Sequence, residues 1–388
     1  MFINLQAAYW MIGILLMLML TVAVITLIIK LNKKRFKKKE EKCLSGFRSY
    51  LDYLQIQLDN EARLRSPRNP LSYFEKEVLQ KTLLQWVDRL DGIHRQKLLT
   101  LCEDIGLIEH NRKRLRSRWT ITRIDAAYHL GILRDSGSTP ELFSMLYQEK
   151  FKSSVYIIAR SIAQTSKEPN EIKGLIQYLV ENGNENIHLI ADISKESSLD
   201  LRSVYVSFLY EEQAQLNKVG LISLQDQIEL DLPENIHSFV QSDDKGIRIL
   251  AAKLLMTSMV LKEQDIREYL QFPDWEIRNL FTEWIGNSEL IQYAELLKDR
   301  VQDSNWLVSR SSAKSLVQLG SRGFEILCEI AVGLYGERGR KVANEFIEED
   351  LKQSIDRFSQ LNDMTVYNNK LYTYQKYFGK NDDLTKAI

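Results

Sequence analysis

Five histidines and three cysteines are the side chains from which metal or nucleophilic chemistry would most readily be built: His94, His110, His129, His188, His237, Cys43, Cys102 and Cys328. A zinc site on a helix needs two ligands one turn apart, so that both reach one ion. None of the histidines stands in an HExxH frame or four residues from another histidine or a cysteine. The cysteines are odd in number, widely spaced and without a CxxC pair, which predicts reduced thiols rather than a disulfide framework. No GxSxG or SxxK frame is present for seryl chemistry. Gly333, Gly336 and Gly339, followed by Arg340 and Lys341, have a superficial look of a phosphate loop. They lack GK[ST] and no strand precedes them, so they read as a helix-to-helix connection. Glu348-Glu349-Asp350 and Asp243-Asp244 suit charged helix faces and N-caps, with no apolar pocket beside them to raise a carboxyl pKa. His129, beside Leu130, reads as a satisfied or solvent-facing histidine. The chain is therefore expected not to be an enzyme, with no catalytic residue, metal ligand or cofactor.

The charges are more informative. Residues 1–123 carry 23 Lys/Arg against 12 Asp/Glu, and the remainder 29 against 40, so a basic part precedes an acidic one. Two basic clusters stand out. Lys33, Lys34, Arg35, Lys37, Lys38 and Lys39, with Lys30, follow an uncharged run from Ala7 to Ile29. That run is long enough, at ~1.5 Å per residue, to cross a hydrocarbon core of roughly 30 Å. Tyr9 and Trp10 sit near its start, where amphipathic rings favour the interface. No Lys or Arg precedes it and it is too long for a signal-peptide core, so an uncleaved anchor is expected. Positive charge on its C-terminal side predicts the N-terminus outside and residues 30–388 in the cytoplasm of a single-pass cell-membrane protein. The same charges could hold anionic lipid headgroups. The second cluster, Arg112, Lys113, Arg114, Arg116 and Arg118, is followed by Trp119. It reads as a solvated face or as a site for anionic lipid or an acidic protein partner. Nucleic acid is disfavoured, because aromatics are not interleaved.

The elements that would position these groups are helices. Six prolines and 17 glycines are too few for a turn-rich β fold of this length. Glu40 to Leu64 reads as a helix with Phe47, Leu51, Leu54 and Leu58 on one face, ended by Ser66-Pro67-Arg68-Asn69-Pro70. Val78, Leu79, Thr82, Leu83, Trp86, Val87 and Leu90 form another stripe. A repeat then begins. Arg123 is followed by Ala126, Ala127, Leu130 and Gly131; Arg248 by Ala251, Ala252 and Leu255; Arg278 by Phe281, Thr282, Ile285 and Gly286; Ser309 by Ser312, Ala313 and Leu316. The last three starts lie 30 and 31 residues apart, with Asp244, Asp274 and Asn305 four residues ahead as N-caps. Weaker copies begin near Val155 and at Arg202. Intervening stripes over Leu142–Tyr147, Ile172–Val180, Ile236–Val240, Ile266–Leu270 and Leu290–Leu297 make the unit a helix pair, which must stack on neighbours to bury its apolar face.

The frame Asp/Asn-x-x-Ile/Val-Arg-x-x-Ala-Ala-x-x-Leu-Gly resembles the HEAT repeat of the short bacterial, PBS-lyase-type kind, over about residues 115–335. The resemblance implies an all-α fold, an α-solenoid of HEAT-like helix pairs carrying one N-terminal transmembrane helix, with the Arg-bearing helices lining a concave face and with a binding role. The expected segments are 1–29, an anchor; 30–70, a basic juxtamembrane stretch and linker helix; 71–114, a helical N-terminal part; 115–335, the repeats; and 336–388, a capping helix, Glu337 to Leu361, with an aromatic tail that packs back or is partly disordered. On the repeat face, Ile249, Asn279 and Arg310 and then Lys253, Glu283 and Lys314 should point away from the core, with Trp284 as an apolar anchor. Trp275 and Trp306 either seal neighbouring repeats or form an exposed pair. The favoured function is a membrane-tethered scaffold that positions a protein partner, with a membrane-bound envelope or polysaccharide-assembly enzyme as one candidate. The alternatives are an enzyme subunit of the bilin-lyase type, or a lipid- or nucleic-acid-binding module using the basic clusters.

Overall fold

A computed structural model describes residues 2–183, 186–227, 232–233, 236–258, 261–356 and 361–379. Among them there are helices and turns and no strand. Residues 380–388, the end of the expected tail, lie outside the described residues, as do 357–360 within the expected cap. The chain forms two compact units, Met1–Leu175 with Ile193–Leu199, and Ile176–Asp192 with Asp200–Ile388. The divide falls inside α9 (Pro169–Glu181) and α10 (Ile187–Lys195).

The first unit opens with α1 (Phe2–Gly46), a single helix through the apolar run and the basic cluster. It is long and apolar enough to cross a membrane, and its apolar stretch is wholly exposed in the folded chain. The single helix expected from Glu40 onward is broken at Phe47, and α2 (Arg48–Asn60) follows. α2 is more than a linker. Its Leu54 is buried with Leu79, Leu83 and Val87 of α3 (Tyr73–Arg89) and Leu98 and Leu101 of α4 (Gly92–Asp104). Each such leucine, taken fully out of water, contributes roughly 1.5–3 kcal/mol. The proline-rich break precedes a capping box in which Ser72 Oγ accepts from the Glu75 amide and the Glu75 carboxylate accepts from the Ser72 amide. Gly106, at φ +77°, turns the chain into α5 (Leu107–Leu115). Then come α6 (Thr120–Ile132), α7 (Thr139–Gln148) and α8 (Lys152–Thr165).

α6 and α8 pack side by side at the small residues of the frame. A Cβ on Gly131 would lie 2.8 Å from Ser161 Cα and 2.5 Å from Gln164 Oε1. The second unit repeats that contact: a Cβ on Gly286 would meet Ser315 and Gln318, the latter also at 2.5 Å. The copy near Val155 is thus in the same register as the strong copies. The second unit contains α11 (Arg202–Phe208), α12 (Ala214–Leu224), α13 (Ile236–Val240), α14 (Lys245–Ser258), α15 (Glu263–Leu270), α16 (Trp275–Asn287), α17 (Ala294–Lys298), α18 (Trp306–Gln318), α19 (Gly320–Val332), α20 (Glu337–Asp356) and α21 (Leu361–Phe378). The frame residues Ala251, Ala252, Phe281, Thr282, Ser312 and Ala313 are all fully buried.

The copy expected at Arg202 is corrected. The helix packed beside α14 is α12, and its Lys218, 30 residues before Arg248, fills the basic position. Lys218 Nζ reaches Asp244 at 2.8 Å as Arg248 reaches Asp274 at 2.7 Å. At the other end the frame stops but the packing does not. α20 lies against α18 and α19, and α21 covers α19, with Tyr367 buried and Lys370 paired to Asp350 at 2.6 Å. The aromatic tail thus packs back on the unit as far as residue 379.

Candidate partner-binding surfaces

The repeat arginines are structural. The Arg278 guanidinium donates to both Asp303 oxygens, at 2.9 and 2.8 Å, and to the Phe272 and Pro273 carbonyls at the end of the preceding turn. Arg248 donates twice to one oxygen of Asp274, Oδ2, and to the Ser242 and Asp243 carbonyls. Arg123 keeps only the backward bond, to the Ser117 carbonyl. Each arginine thus neutralises carbonyls at the turn before its own helix. In the second unit it also clamps the carboxylate that opens the next repeat. The N-caps expected at Asp244, Asp274 and Asn305 are present, accepting from the amides of Ile247, Glu276 and Leu307.

Along α14, α16 and α18 the two expected rows differ. Lys253, Glu283 and Lys314 are exposed, one turn further along than the clamps. The other row is largely engaged. Ile249 and Asn279 are half-buried, and Asn279 donates to Glu283 at 3.0 Å. Arg310, expected to point away from the core, pairs with Glu345 at 2.8 Å and lies 5.1 Å over the Phe346 ring, because α20 occupies the next place in the row. Trp284 is half-buried, edge-on to Phe281 at 6.1 Å. The tryptophan pair divides: Trp275 is half-buried, whereas Trp306 is 58% exposed.

The cluster Arg112 to Arg118 is partly paired within the unit. Arg112 is held by Asp135 at 2.6 Å, Arg116 by Glu141 at 2.6 Å and Arg114 by Asp125 at 2.5 Å. Three of the five charges therefore have carboxylate partners, Arg114 largely buried and Arg116 on the solvated surface. Only Lys113 and Arg118 have no carboxylate partner among the described residues. Arg114 belongs to a buried polar network that sequence reading missed: Asn111 Nδ2 donates to Gln80 Oε1 at 2.5 Å, and Gln80 Nε2 lies 2.7 Å from His129 Nδ1. Burial, aided by Arg114 and Lys81 and opposed by Asp125, pulls the His129 pKa down to about 4. Burial and then Arg114 and Lys76 do the same to His110, also to about 4. In the basic run after the apolar stretch, Lys33, Lys34, Arg35, Lys37, Lys38 and Lys39 are exposed, and Lys39 lies 4.4 Å over the Phe74 ring. Phe36 packs edge-on to the same ring at 5.7 Å and Glu40 pairs with Lys81 at 2.7 Å, docking α1 on α3.

The remaining chemistry matches expectation at the thiols. Cys102 and Cys328 are buried free cysteines, each pushed up to about 12 by that burial. Among the described residues no group of His, Cys, Asp and Glu is placed to hold a metal ion.

No protein-family model matches the chain, and no curated protein matches it. Among solved structures, Escherichia coli YibA is 11% identical, with 79% of this chain and 99% of that one aligned and a TM-score of 0.26. A chain of the Pds5–Scc1 complex is 12% identical over 91% of this chain and 66% of that one, with a TM-score of 0.31. At these scores the fold assignment rests on the helix pairs and clamps described above.

Proposed function

We propose that this protein is a membrane-tethered HEAT-like scaffold, not an enzyme, that binds and positions a membrane-associated protein at the cytoplasmic face. One observation carries the reading: α1 leaves an uncharged, wholly exposed apolar stretch on a chain otherwise folded into stacked helix pairs. Tyr9 to Ile29 would be insoluble in water if uncovered, and a bilayer covers it at no cost in backbone hydrogen bonds. The exposed basic residues just beyond it favour cytoplasmic placement and headgroup contact.

The partner surface of this reading is the row Lys253, Glu283 and Lys314, with Trp284 beside it and Trp306 at the helix starts. Alternating charge along three adjacent helices sets the register of an extended or helical segment more than its affinity, and the tryptophans supply the anchor. The test is site-specific photo-crosslinking from positions 253 and 314 of the full chain in its own cells. A discrete protein adduct is expected, lost when Lys253→Glu, Glu283→Lys and Lys314→Glu are combined, with helix content and melting unchanged. An adduct that survives the triple reversal, or none from either position, places the partner elsewhere.

A further inference from the structure

One edge of the first unit is chemically unlike the rest of its surface. Trp119, at the N-cap of α6, is 64% exposed, Ile121 84% and Phe151, at the N-cap of α8, 71%. The contact of Gly131 with Ser161 and Gln164 sets α6 and α8 side by side in the repeat register, in which Trp119 and Phe151 hold the same N-cap position, 32 residues apart, and Ile121 lies in the first turn beside them. The three large apolar side chains therefore form one patch at the tips of two neighbouring helices. Exposed apolar residues clustered this way mark a contact surface.

The rim is basic. Lys113, Arg118 and Lys150 are exposed and have no carboxylate partner among the described residues, and Arg118 lies 5.2 Å over the Trp119 ring. Of the nearby acids, Glu141 holds Arg116, and Glu149 is turned back on the chain, accepting the amides of Lys150 and Phe151 at 2.9 and 3.1 Å while keeping its charge. A tryptophan, a phenylalanine and an isoleucine ringed by unpaired cations is the composition that beds into an anionic headgroup layer.

On the tether reading, α1 holds the first unit close to that layer. α1 touches the rest of its unit at Phe36, Lys39 and Glu40, only seven to eleven residues beyond Ile29. At ~1.5 Å per residue that is roughly 10–17 Å from the hydrocarbon boundary. The headgroup region fills about half of that distance, and an ordinary tilt of the spanning helix, roughly 20°, brings one side of the unit lower still.

We propose that the Trp119–Ile121–Phe151 edge is a second membrane contact, which lies on the anionic surface of the same bilayer that α1 crosses. It rests on the tether reading above. The test is made on the full chain, reconstituted in vesicles of phosphatidylcholine with or without phosphatidylglycerol. A p-benzoylphenylalanine crosslinker replaces Phe151, Glu168 at the opposite end of α8, or Leu16 within the span, one at a time. Position 151 should form lipid adducts several-fold above position 168, and only with phosphatidylglycerol present. Lys113→Glu, Arg118→Glu and Lys150→Glu together should remove that excess and leave the labelling at position 16 untouched. If position 16 labels lipid and position 151 does not exceed 168, the edge is not a membrane contact. A discrete protein adduct from 151 in cells, without lipid labelling, would make it a partner surface and overturn the proposal. Failure at position 16 removes the tether, and the second contact with it.

Discussion

At the scale of single residues the folded units depend on buried charges with few spare partners. Arg278→Ala leaves Asp303, nearly inaccessible, facing an empty space. Loss of one partner of a buried pair costs about 3–5 kcal/mol. Arg300 still reaches Asp303 at 3.2 Å, so about 3 kcal/mol is expected, read as a lower urea midpoint of the detergent-solubilised chain. The two buried histidines set an acid limit. Their folded pKa values, about 4, lie below the ordinary histidine value, so the unfolded chain takes up protons first. Their contribution is complete above pH ~6.5 and is lost as pH falls toward about 4. The urea midpoint should drop between about pH 7 and about pH 5, and by less in His129→Asn. Some of this was legible. The frame identified the N-caps because an Asp or Asn four residues ahead of the basic position has one local job. The clamps were not legible, since Arg278 bypasses the cap Asn305 and takes Asp303, a choice made by the packing of one repeat on the next.

At the scale of helices, the ends of the stack carry the risk. α20 closes α18 through Glu345, Phe346 and buried Ile347 and Leu351, and α21 adds Tyr367. A chain ended at Tyr335 would expose the faces of α18 and α19 that these helices cover. Light scattering should show it aggregating under conditions where the full chain is monodisperse, and hydrogen exchange should show faster opening of α18; equal behaviour would mean that the cap is dispensable. The capping helix was legible as a long charged stripe after the last repeat. Its engagement of Arg310 was not, because α20 occupies the row without the repeat's sequence frame. The same reason hid α12: Lys218 stands in for arginine, and Ala214 occupies the position four residues ahead where the later copies have Asp or Asn.

At the scale of the whole molecule, the topology is the first thing to measure. The seven basic residues between 30 and 39, against none before them, predict a cytoplasmic C-terminus. A fluorescent protein fused after residue 388 should fluoresce and an alkaline phosphatase at the same place should be inactive; the opposite pair of readings would invert the orientation. The all-helical class and the long apolar N-terminal helix were legible because each rests on a composition or a period that tertiary context does not alter. The partition of free and engaged charges was not, since whether Arg112 faces solvent or Asp135 depends on a contact 23 residues away.

On the tether reading proposed above, the docking of α1 on α3 makes the anchor a shaft rather than a leash. One helix runs from Phe2 to Gly46 and grips the unit through Phe36, Lys39 and Glu40, so rotation of the span is transmitted to the folded part without slack. Each residue inserted between Ile29 and Phe36 would turn the unit by about 100° and lift it by ~1.5 Å. Function measured across a series of one to seven inserted alanines should therefore oscillate with the helical phase. It should fall most after two, which reverses the azimuth, and recover after four, which restores it to within about 40°. A smooth decline with length would mean that the helix bends freely at the membrane exit and that azimuth carries no information.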